Sequence, residues 1–491
     1  MNNKKLGVNY FLNLSYQIIA IIIPLITTPY ISKVLGASGV GEYSFTYSIA
    51  NYFSLFAAMG FGTYAQREIA KYHNDKYNTT ITFWEIFIVK LITSFFSIIL
   101  NMFLIYNKVY GKYNILMIWW NILIISTAVD INYLFQGLEE FGKIVYKNIL
   151  VKFIALILIF VIVKKADDVW KYIAIYCISI LFGNISMWGY CKKYLTIVQF
   201  GQLKPWKHIV PSFKLFIPTI ATSIYAYLDK TMIGLLASNP DFENGCYEQA
   251  EKIVKMATTI IISLGTVMIP RNTSLYNEGK IEDLKTNIYF ASNYVWAIGL
   301  PIMFGISALA VNIVPWFLGL EFEKAIIIMK ILAPIVVFMG FGNVFGLQYL
   351  VPVKKDNQWS ICIIIGLVVN IIINAILIPH YFSIGAAIGT LVAEGTVCFG
   401  MAIISKNFIS LKTIIVQAKN YFFAGVCMFL IISICELKLN ANIVNTFLLI
   451  ILGMTVYFSI LIILKDVFIG NLFKIIKNNI LKKNRVKKYD K

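Results

Sequence analysis

The chain has 491 residues, of which 59% are hydrophobic and 14% are charged, and its formal net charge is +19 at pH 7. Soluble domains are nearer about 25% charged and lack long apolar runs repeated from end to end, so the composition excludes a set of soluble domains. Nucleic acid is excluded as a partner as well, because its binding needs an accessible basic face on a soluble surface.

Apolar stretches recur along the whole sequence, and each is long enough to cross the roughly 30 Å hydrocarbon core of a bilayer as a helix. They predict an all-α polytopic membrane protein with about fourteen transmembrane helices. The predicted spans are 11–32, 41–63, 82–105, 115–136, 146–163, 169–190, 211–236, 250–270, 287–310, 324–349, 358–378, 384–405, 417–435 and 443–464.

Basic residues are divided unequally between the two sides of this predicted topology. With the N-terminus in the cytoplasm, about two thirds of the 43 Lys and Arg residues fall on cytoplasmic segments. This excess is the positive-inside signature, so both termini are predicted to be cytoplasmic. The net charge is then largely a consequence of topology.

Two segments of the chain carry a short internal repeat. Gly41 and Tyr43 in GVGEYSFTYSI match Gly245 and Tyr247 in ENGCYEQAEKI, each 204 residues later. Six predicted spans separate the copies, so both have the same orientation and the repeat is expected to be parallel, about an axis along the membrane normal. The sequence therefore predicts two parallel six-helix lobes around a central cavity, followed by two C-terminal helices.

The predicted organisation has four parts. They are an N-terminal six-helix lobe at 1–195, a C-terminal six-helix lobe at 196–408, two additional transmembrane helices at 409–464 and a basic cytoplasmic tail at 465–491. The outer loops are short, and no cluster of catalytic residues is visible in the sequence. The protein is therefore not expected to be an enzyme, with an intramembrane polymerase or ligase left as the weakest alternative.

The seven cysteines form no Cys-x-x-Cys pair, and the three histidines fall far apart in predicted loops. These spacings indicate neither a disulfide framework nor a metal site. No cofactor is predicted.

Charged residues within predicted spans are candidate functional positions, since a charge at the centre of a helix costs at least about 2.5–3.5 kcal/mol on insertion scales. In the first lobe, Asp130 lies in the fourth span and Lys152 in the fifth. Lys90 lies in the third span, where a lysine that reaches toward the membrane surface is an equal explanation.

The seventh span contains Asp229 and Lys230 side by side in IYAYLDKTMIGLL. Adjacent residues point about 100° apart on a helix, so these two side chains cannot pair along one face. Each is expected to contact a partner on another helix or a wet cavity. A structural interhelical salt bridge and a cavity site between the lobes are both open interpretations.

Five stretches of the sequence carry a family resemblance. They are IPLITTPYISKVLGASGVGEYSFTYSIANYF at 23–53, GFGTYAQREIA at 60–70, DINYLFQGLEEFGKIVYKNILVKF at 130–153, YLDKTMIGLL at 227–236 and GLVVNIIINAILIPHYFSIGAAIGTLVAEGTV at 366–397. These stretches resemble bacterial polysaccharide-biosynthesis oligosaccharide flippases, which belong to the superfamily of multidrug, oligosaccharidyl-lipid and polysaccharide exporters.

The resemblance implies a substrate, namely an oligosaccharide repeat unit on a polyprenyl diphosphate. It implies movement from the inner to the outer leaflet of the bacterial cytoplasmic membrane by alternating access. Cationic groups in the cavity would lower the barrier for the anionic diphosphate. Membrane lipids and a polysaccharide polymerase are the expected partners, and a coupling cation or the membrane potential is the expected drive.

The family places its first, second, seventh and eighth helices on the cavity. On this sequence the resemblance nominates substrate-binding residues, and the intramembrane charges add Asp130 and Lys152. The nominated residues are Lys33, Glu42, Arg67, Asp229, Lys230 and Arg271. For the lysine and the two arginines near helix ends, a snorkelling cation is the alternative.

A cation-coupled multidrug antiporter of the same superfamily is the alternative function. It would favour acidic residues that face the cavity, and Asp130 and Asp229 keep this alternative open. The lipid II branch of the superfamily carries several arginines in its first two helices, whereas this chain has Arg67 and Lys33 there. This departure argues against lipid II as the substrate.

Overall fold

The computed structural model describes residues 3–466 and 468–470, and for residues 3–18, 20–21, 217–218, 221 and 266 it describes the backbone alone. The described residues are helical and contain no β-strand. The predicted basic tail at 465–491 lies largely outside the described residues, as do the side chains at the start of the first predicted span.

The α-helices follow one another with short connections. In chain order they are α1 (Asn3–Ala58), α2 (Phe61–Lys71), α3 (Lys76–Tyr106), α4 (Asn114–Val129), α5 (Asn132–Gly137), α6 (Phe141–Ile162), α7 (Val169–Trp188), α8 (Cys191–Tyr194), α9 (Ile209–Leu236), α10 (Pro240–Asn277), α11 (Ile281–Tyr294), α12 (Leu300–Phe317), α13 (Lys324–Leu332), α14 (Ile335–Gly342), α15 (Asp356–Tyr381), α16 (Ser383–Ser405), α17 (Leu411–Glu436) and α18 (Ile443–Ile463). Two π-helical segments, Val295–Gly299 and Asn343–Leu350, continue α11 and α14.

Eleven helical segments within the described residues are long and apolar enough to cross a membrane, by length and composition. This finding confirms the predicted all-α polytopic membrane protein. Helices α1 and α9 overlap the other predicted spans, 11–32, 41–63 and 211–236. The count of fourteen transmembrane helices stays a prediction.

The first two predicted spans belong to one long helix that is kinked at a single residue. Gly36 has φ 68° and ψ 179° inside α1, while the residues on both sides are helical. A residue without a Cβ adopts this positive φ at little steric cost. Residue 37 therefore begins a second helical half of α1, which carries the first copy of the repeat.

The fourth predicted span, 115–136, is interrupted at Asp130. This residue ends α4 with an extended backbone (ψ 116°), and α5 starts two residues later. Its Oδ1 atom accepts a hydrogen bond from the backbone N–H of Asn132 at 2.8 Å. Because an aspartate that caps its own i+2 N–H stabilises a turn in place of the helix, the break follows from the local sequence.

Contacts divide the chain into two compact units. The first unit comprises residues 1–248 and 378–383, and the second comprises 249–377 and 384–491. The lobe boundary that the sequence predicts, at 195 and 196, falls inside the first unit and stays a prediction. The contacts of the candidate site below all lie within the first unit.

The start of α9 is anchored to α2 and α3 by a buried polar cluster in the first unit. His208 Nδ1 lies 2.7 Å from the Tyr64 hydroxyl, and its Nε2 lies 2.9 Å from Glu85 Oε2. Glu85 also binds the Lys207 ammonium at 2.7 Å and is 1% exposed. Burial holds the pKa of His208 below its ordinary value, which favours the neutral ring. This cluster anchors the N-terminal end of α9, whereas Asp229 lies nearer its C-terminal end.

The second unit packs α12 against α17 and α18. Tyr457 on α18 donates a hydrogen bond from its hydroxyl to the backbone oxygen of Ala297 at 3.0 Å, inside the π-helical segment before α12. Trp296 Nε1 donates to the backbone oxygen of Ile414 at 2.9 Å. The three helices also line an apolar cavity of about 370 Å³.

Candidate functional site

The two adjacent charges of α9 are both held by α10. Asp229 and Lys230 are 6% and 7% exposed. The Tyr247 hydroxyl donates to Asp229 Oδ2 at 2.7 Å, and the Lys230 ammonium lies 2.5 Å from Glu248 Oε2. Each charge therefore contacts a different residue on the neighbouring helix. The sequence predicted a partner on another helix or a wet cavity for each charge, and the structure shows a partner on another helix for both.

Helix α1 also contacts Glu248, the residue of α10 that binds Lys230. Ser44 Oγ on α1 donates a hydrogen bond to Glu248 Oε2 at 3.0 Å. Asn244, one turn before Glu248, donates from Nδ2 to the backbone oxygen of Lys230 at 2.9 Å. The Glu248 carboxylate consequently connects three helices, since it accepts from a serine of α1 and a lysine of α9 while it belongs to α10.

Next to Glu248, the backbones of α1 and α10 approach so closely that only glycine fits. A Cβ placed on Gly41 would lie 1.7 Å from the backbone oxygen of Asp241. A Cβ placed on Gly245 would lie 1.9 Å from the backbone oxygen of Ala37. Real Cβ atoms do not approach backbone oxygens to this distance, so both glycines are required by this contact. We call this contact between the two helices the glycine junction.

The glycine junction is reciprocal across the internal repeat. Asp241 is the counterpart of Ala37, and Gly245 is the counterpart of Gly41, each 204 residues later. The hydrogen bond from the serine of α1 to the glutamate of α10 also joins two residues 204 positions apart. A contact that maps onto itself under the repeat offset is what a two-fold relation between the two segments produces. It gives structural support to the repeat found in the sequence.

A second lysine holds the same two helices. The Lys112 ammonium binds the Asp241 carboxylate of α10 and lies 3.9 Å from Glu42 Oε1 of α1. The Tyr113 hydroxyl donates to Asp241 Oδ1 at 2.6 Å. Asp241 lies in the first turn of α10, where the helix dipole favours negative charge. Glu42, Asp241 and Glu248 thus bring carboxylates to the glycine junction, and Lys112 and Lys230 bring ammonium groups.

Aromatic rings form a cluster beside the junction in the first unit. Tyr43 and Tyr47 of α1 stack at a centroid distance of 5.6 Å. Tyr47 also contacts Tyr227 of α9, with 5.8 Å between the ring centroids. Tyr227 lies less than one turn before Asp229 and Lys230, so the aromatic cluster is next to these charges. The other rings that contact the stacked pair are Trp120 of α4 and Tyr172 and Tyr176 of α7.

The family model of polysaccharide biosynthesis proteins matches residues 6–276, which is more than half of the chain. The chain belongs to this family. Among curated proteins, this polysaccharide biosynthesis protein is similar to the putative O-antigen transporter of Escherichia coli K12. The two are 22% identical over 400 residues, which cover 79% of this chain and 93% of the transporter.

Solved structures show the same fold for this polysaccharide biosynthesis protein. A structure of the lipid II flippase MurJ in an inward closed conformation superimposes with a TM-score of 0.73 at 14% identity, covering 94% of this chain and 99% of MurJ. An inward-facing multidrug resistance transporter of the MATE family gives a TM-score of 0.61 at 14% identity, covering 80% and 99%. At these identities the likeness shows the fold alone, which is the predicted all-α polytopic membrane fold.

The remaining predicted site residues of this family member occupy other positions. Lys33 on α1 and Arg67 on α2 are exposed, and Arg271 is exposed on the part of α10 in the second unit. Lys152 is half-buried on α6. Asp130 is half-buried at the break after α4, and it belongs to neither of the two helices that form the glycine junction. The substrate-binding roles of these five stay predictions.

Lys90 and Lys147 are buried beside the break in the fourth span. The Lys90 ammonium donates to the backbone oxygen of Asp130 at 2.5 Å, and the side chain is 5% exposed, so it does not snorkel. The Lys147 ammonium contacts Asn132 Oδ1 at 3.2 Å and Asn184 Oδ1 at 3.0 Å. The interrupted helix leaves polar groups that these lysines satisfy, which the apolar pattern of the sequence did not reveal.

Sequence reasoning missed three charged residues of this family member that build the junction. Glu248, Asp241 and Lys112 all fell in or near predicted loops and helix ends, where charge is ordinary. For the first two a signal was available, because the repeat offset carries Ser44 onto Glu248 and Ala37 onto Asp241. Nothing in the sequence connects Lys112 with either repeat copy.

Proposed function

We propose that this protein is a flippase that moves a polyprenyl-diphosphate-linked oligosaccharide, a surface polysaccharide precursor, from the inner to the outer leaflet of the bacterial cytoplasmic membrane. The similarity to an O-antigen transporter along most of both chains carries the proposal. Membership of the polysaccharide biosynthesis family agrees with it. In this proposal the protein is a transporter without a cofactor, and no covalent step is needed.

The buried lysine of α9 supports an anionic substrate. A diphosphate that crosses hydrocarbon needs cationic partners, because the alternative is an unpaired charge in a medium of low dielectric constant. Lys230 supplies such a group inside the first unit, where its ammonium binds the Glu248 carboxylate. We assign Lys230 the role of diphosphate contact and Asp229 that of positioning α10 through Tyr247.

The aromatic cluster beside the junction supports a carbohydrate substrate. Ring faces offer stacking surfaces to the C–H faces of sugars, and hydroxyl groups orient a polar ligand within a largely apolar site. Thr231 of α9 adds hydroxyl contacts to Ser48 at 2.9 Å and to Tyr52 at 3.1 Å. A sugar hydroxyl can take the place of one partner in each of these hydrogen bonds.

The proposed mechanism is alternating access. The polyprenyl chain is as apolar as the bilayer core and stays in it, so only the diphosphate and the sugars need shelter. A cavity that is open to one leaflet and then to the other keeps the polar head out of hydrocarbon. An ion gradient or the membrane potential, which supplies about 2.3 kcal/mol per charge per 100 mV, would drive uphill movement.

Depletion of the protein in its native host tests the proposal. Polyprenyl-diphosphate oligosaccharide is expected to accumulate on the cytoplasmic face of the membrane, and surface polysaccharide is expected to fall. The measurement is the leaflet distribution of the lipid-linked sugar together with the amount of surface polymer. Intact surface polysaccharide with increased sensitivity to cationic drugs would instead support a multidrug antiporter.

The proposed topology places both termini and the basic loop 191–208 in the cytoplasm. Impermeant thiol reagent applied to intact cells is expected to label a cysteine at Asn239, which precedes α10, and to miss one at Gln202. Both residues are exposed, so accessibility within the protein is matched. The seven native cysteines are replaced first. Labelling at Gln202 without permeabilisation would show that the orientation is inverted.

A further inference from the structure

The segment between α7 and α9 combines lysines with exposed, large apolar side chains. Residues 191–210 contain four lysines and no aspartate or glutamate. Ile197 is 96% exposed, Phe200 is 67% exposed and Trp206 is 63% exposed. Single exposed apolar residues are ordinary, but a group of them on one short segment marks an interaction site. We call this site the linker surface, and its members are Lys192, Lys193, Ile197, Phe200, Lys204 and Trp206.

We propose that the linker surface docks on the inner leaflet of the membrane and binds anionic phospholipids there. Its lysines contact the headgroups, and its apolar side chains enter the boundary between headgroups and acyl chains. The inference rests on the proposed topology, which places residues 191–208 in the cytoplasm. It does not depend on which substrate the protein moves. It assigns a lipid-binding site to the segment that joins the two predicted lobes.

The linker surface is held in place by the first turns of α3. The backbone N–H of Thr196 donates to Thr80 Oγ1 at 3.0 Å. The backbone N–H of Lys204 donates to Glu85 Oε1 at 2.8 Å. These contacts fix the backbone on both sides of residues 197–203, so the apolar side chains are displayed by an ordered segment. Docking therefore requires little further ordering of the chain, which favours binding.

The same contacts put the linker surface at the level of the membrane surface. Thr80 and Glu85 lie on either side of residue 82, where the third predicted span begins. In the proposed topology this is the cytoplasmic end of the span. The segment also connects the end of α7 with the start of α9. Apolar side chains that are exposed at this level meet the interfacial region of the bilayer, where tryptophan is enriched in membrane proteins.

The charges of the linker surface favour anionic headgroups over zwitterionic ones. Lys192 and Lys204 are exposed, and neither ammonium group forms an ion pair within the described residues. Lys207, by contrast, is bound to Glu85 at 2.7 Å. A free lysine beside an anionic leaflet strengthens binding by about fivefold. An acidic soluble protein would also match the lysines, but the apolar side chains at the membrane surface favour lipid as the partner.

Spin labels test whether the linker surface enters the bilayer. A nitroxide is attached to the Ile197→Cys or the Asn277→Cys variant of the full chain, after replacement of the native cysteines. Asn277 is the control, since it is exposed at the end of α10 and lies in another predicted cytoplasmic loop. Nanodiscs contain phosphatidylglycerol and phosphatidylcholine. Collisions with oxygen, which concentrates in the bilayer, are expected to dominate at residue 197. Collisions with a neutral nickel chelate, which stays in water, are expected to dominate at residue 277.

Lysine variants test the preference for anionic lipid. Phosphatidylglycerol or phosphatidylcholine is titrated into the detergent-solubilised full chain, and bound lipid is measured by native mass spectrometry. Lys192→Gln/Lys204→Gln is expected to weaken phosphatidylglycerol binding at least about tenfold and to leave phosphatidylcholine binding unchanged. The matched control is Lys71→Gln/Lys280→Gln. It removes the same charge from two other exposed lysines, whose ammonium groups are paired with Glu68 and Glu278, and is expected to bind both lipids as the parent does.

Two results would overturn the proposal. Equal nickel collisions at residues 197 and 277 would show that the linker surface faces water, which would favour an acidic soluble protein as its partner. Unchanged phosphatidylglycerol binding by the linker variant, or an equal loss in the control variant, would place the lipid elsewhere. Neither result bears on the proposed function, which is decided by movement of lipid-linked oligosaccharide. An inverted topology is detected separately, by labelling at Gln202.

Discussion

Replacing Gly245 with alanine is expected to keep the α1 and α10 ends apart and to reduce transport at least about tenfold. The added Cβ would lie 1.9 Å from the backbone oxygen of Ala37, so one backbone has to move. Overpacking of this kind costs typically about 1–3 kcal/mol, which shifts a two-state equilibrium by roughly 5- to 150-fold. Gly41→Ala is expected to act in the same way, because its Cβ would lie 1.7 Å from Asp241.

Gly62→Ala is the matched control for this prediction. Gly62 is an exposed glycine of α2, and a Cβ placed there meets nothing within 4 Å. Gly62 lies in the first turn of α2, where the exchange adds a Cβ without a close contact, so a difference between the two variants reports packing at the junction. Transport and thermal unfolding are measured on each variant. A Gly245→Ala protein with normal transport and normal stability would show that the junction does not need to close tightly.

Replacing Lys230 with methionine is expected to destabilise the protein and to stop transport, while a second replacement at Glu248 restores only the stability. The single change removes the Lys230 ammonium from the Glu248 carboxylate, and it is expected to lower the free energy of unfolding because a buried ion pair loses one partner. The double variant Lys230→Met/Glu248→Met exchanges a buried ion pair for apolar side chains of similar size, which is often neutral. Transport stays lost because the diphosphate has lost its ammonium partner.

Thermal unfolding and transport are measured on the same preparations of these variants. Lys71→Met is the control, since Lys71 is an exposed lysine paired with Glu68 three residues earlier on α2. Exposed pairs contribute about 0–1 kcal/mol, so neither measurement is expected to change much. Full transport by the double variant would mean that Lys230 serves helix packing alone.

The helices could be predicted from the sequence where they depend on the residues of one segment alone. Apolar runs of sufficient length are a property of each segment by itself, and they predicted most of α3 to α18 without knowledge of the partners. The two interruptions depend on single residues. Gly36 bends α1 inside a stretch that reads as a loop, and Asp130 ends α4 inside a stretch that reads as one span.

The site was predictable only in part, for a related reason. The rule that adjacent charges on a helix seek separate partners correctly predicted interhelical contacts for Asp229 and Lys230. The identity of Glu248 as the partner depends on how α9 turns back into α10, which no local pattern encodes. The residues that form the reciprocal contact lie in the two copies of the repeat. Similarity between two segments, however, does not predict that they contact each other. Lys112 reaches the junction from a short 3₁₀ turn between α3 and α4 and has no counterpart in the repeat.

Movement of lipid-linked oligosaccharide by the purified protein is the most direct test of the proposed function. The full chain is reconstituted into liposomes that contain a polyprenyl-diphosphate oligosaccharide in both leaflets, and an impermeant glycosidase is added outside. With active protein, the enzyme is expected to degrade nearly all of the oligosaccharide, and with empty liposomes it is expected to degrade only the outer half. With Gly245→Ala, the inner half is expected to be degraded at least about tenfold more slowly than with the parent protein. An inner half that stays protected in liposomes with folded protein would contradict the account, most clearly if the same liposomes transport a cationic drug.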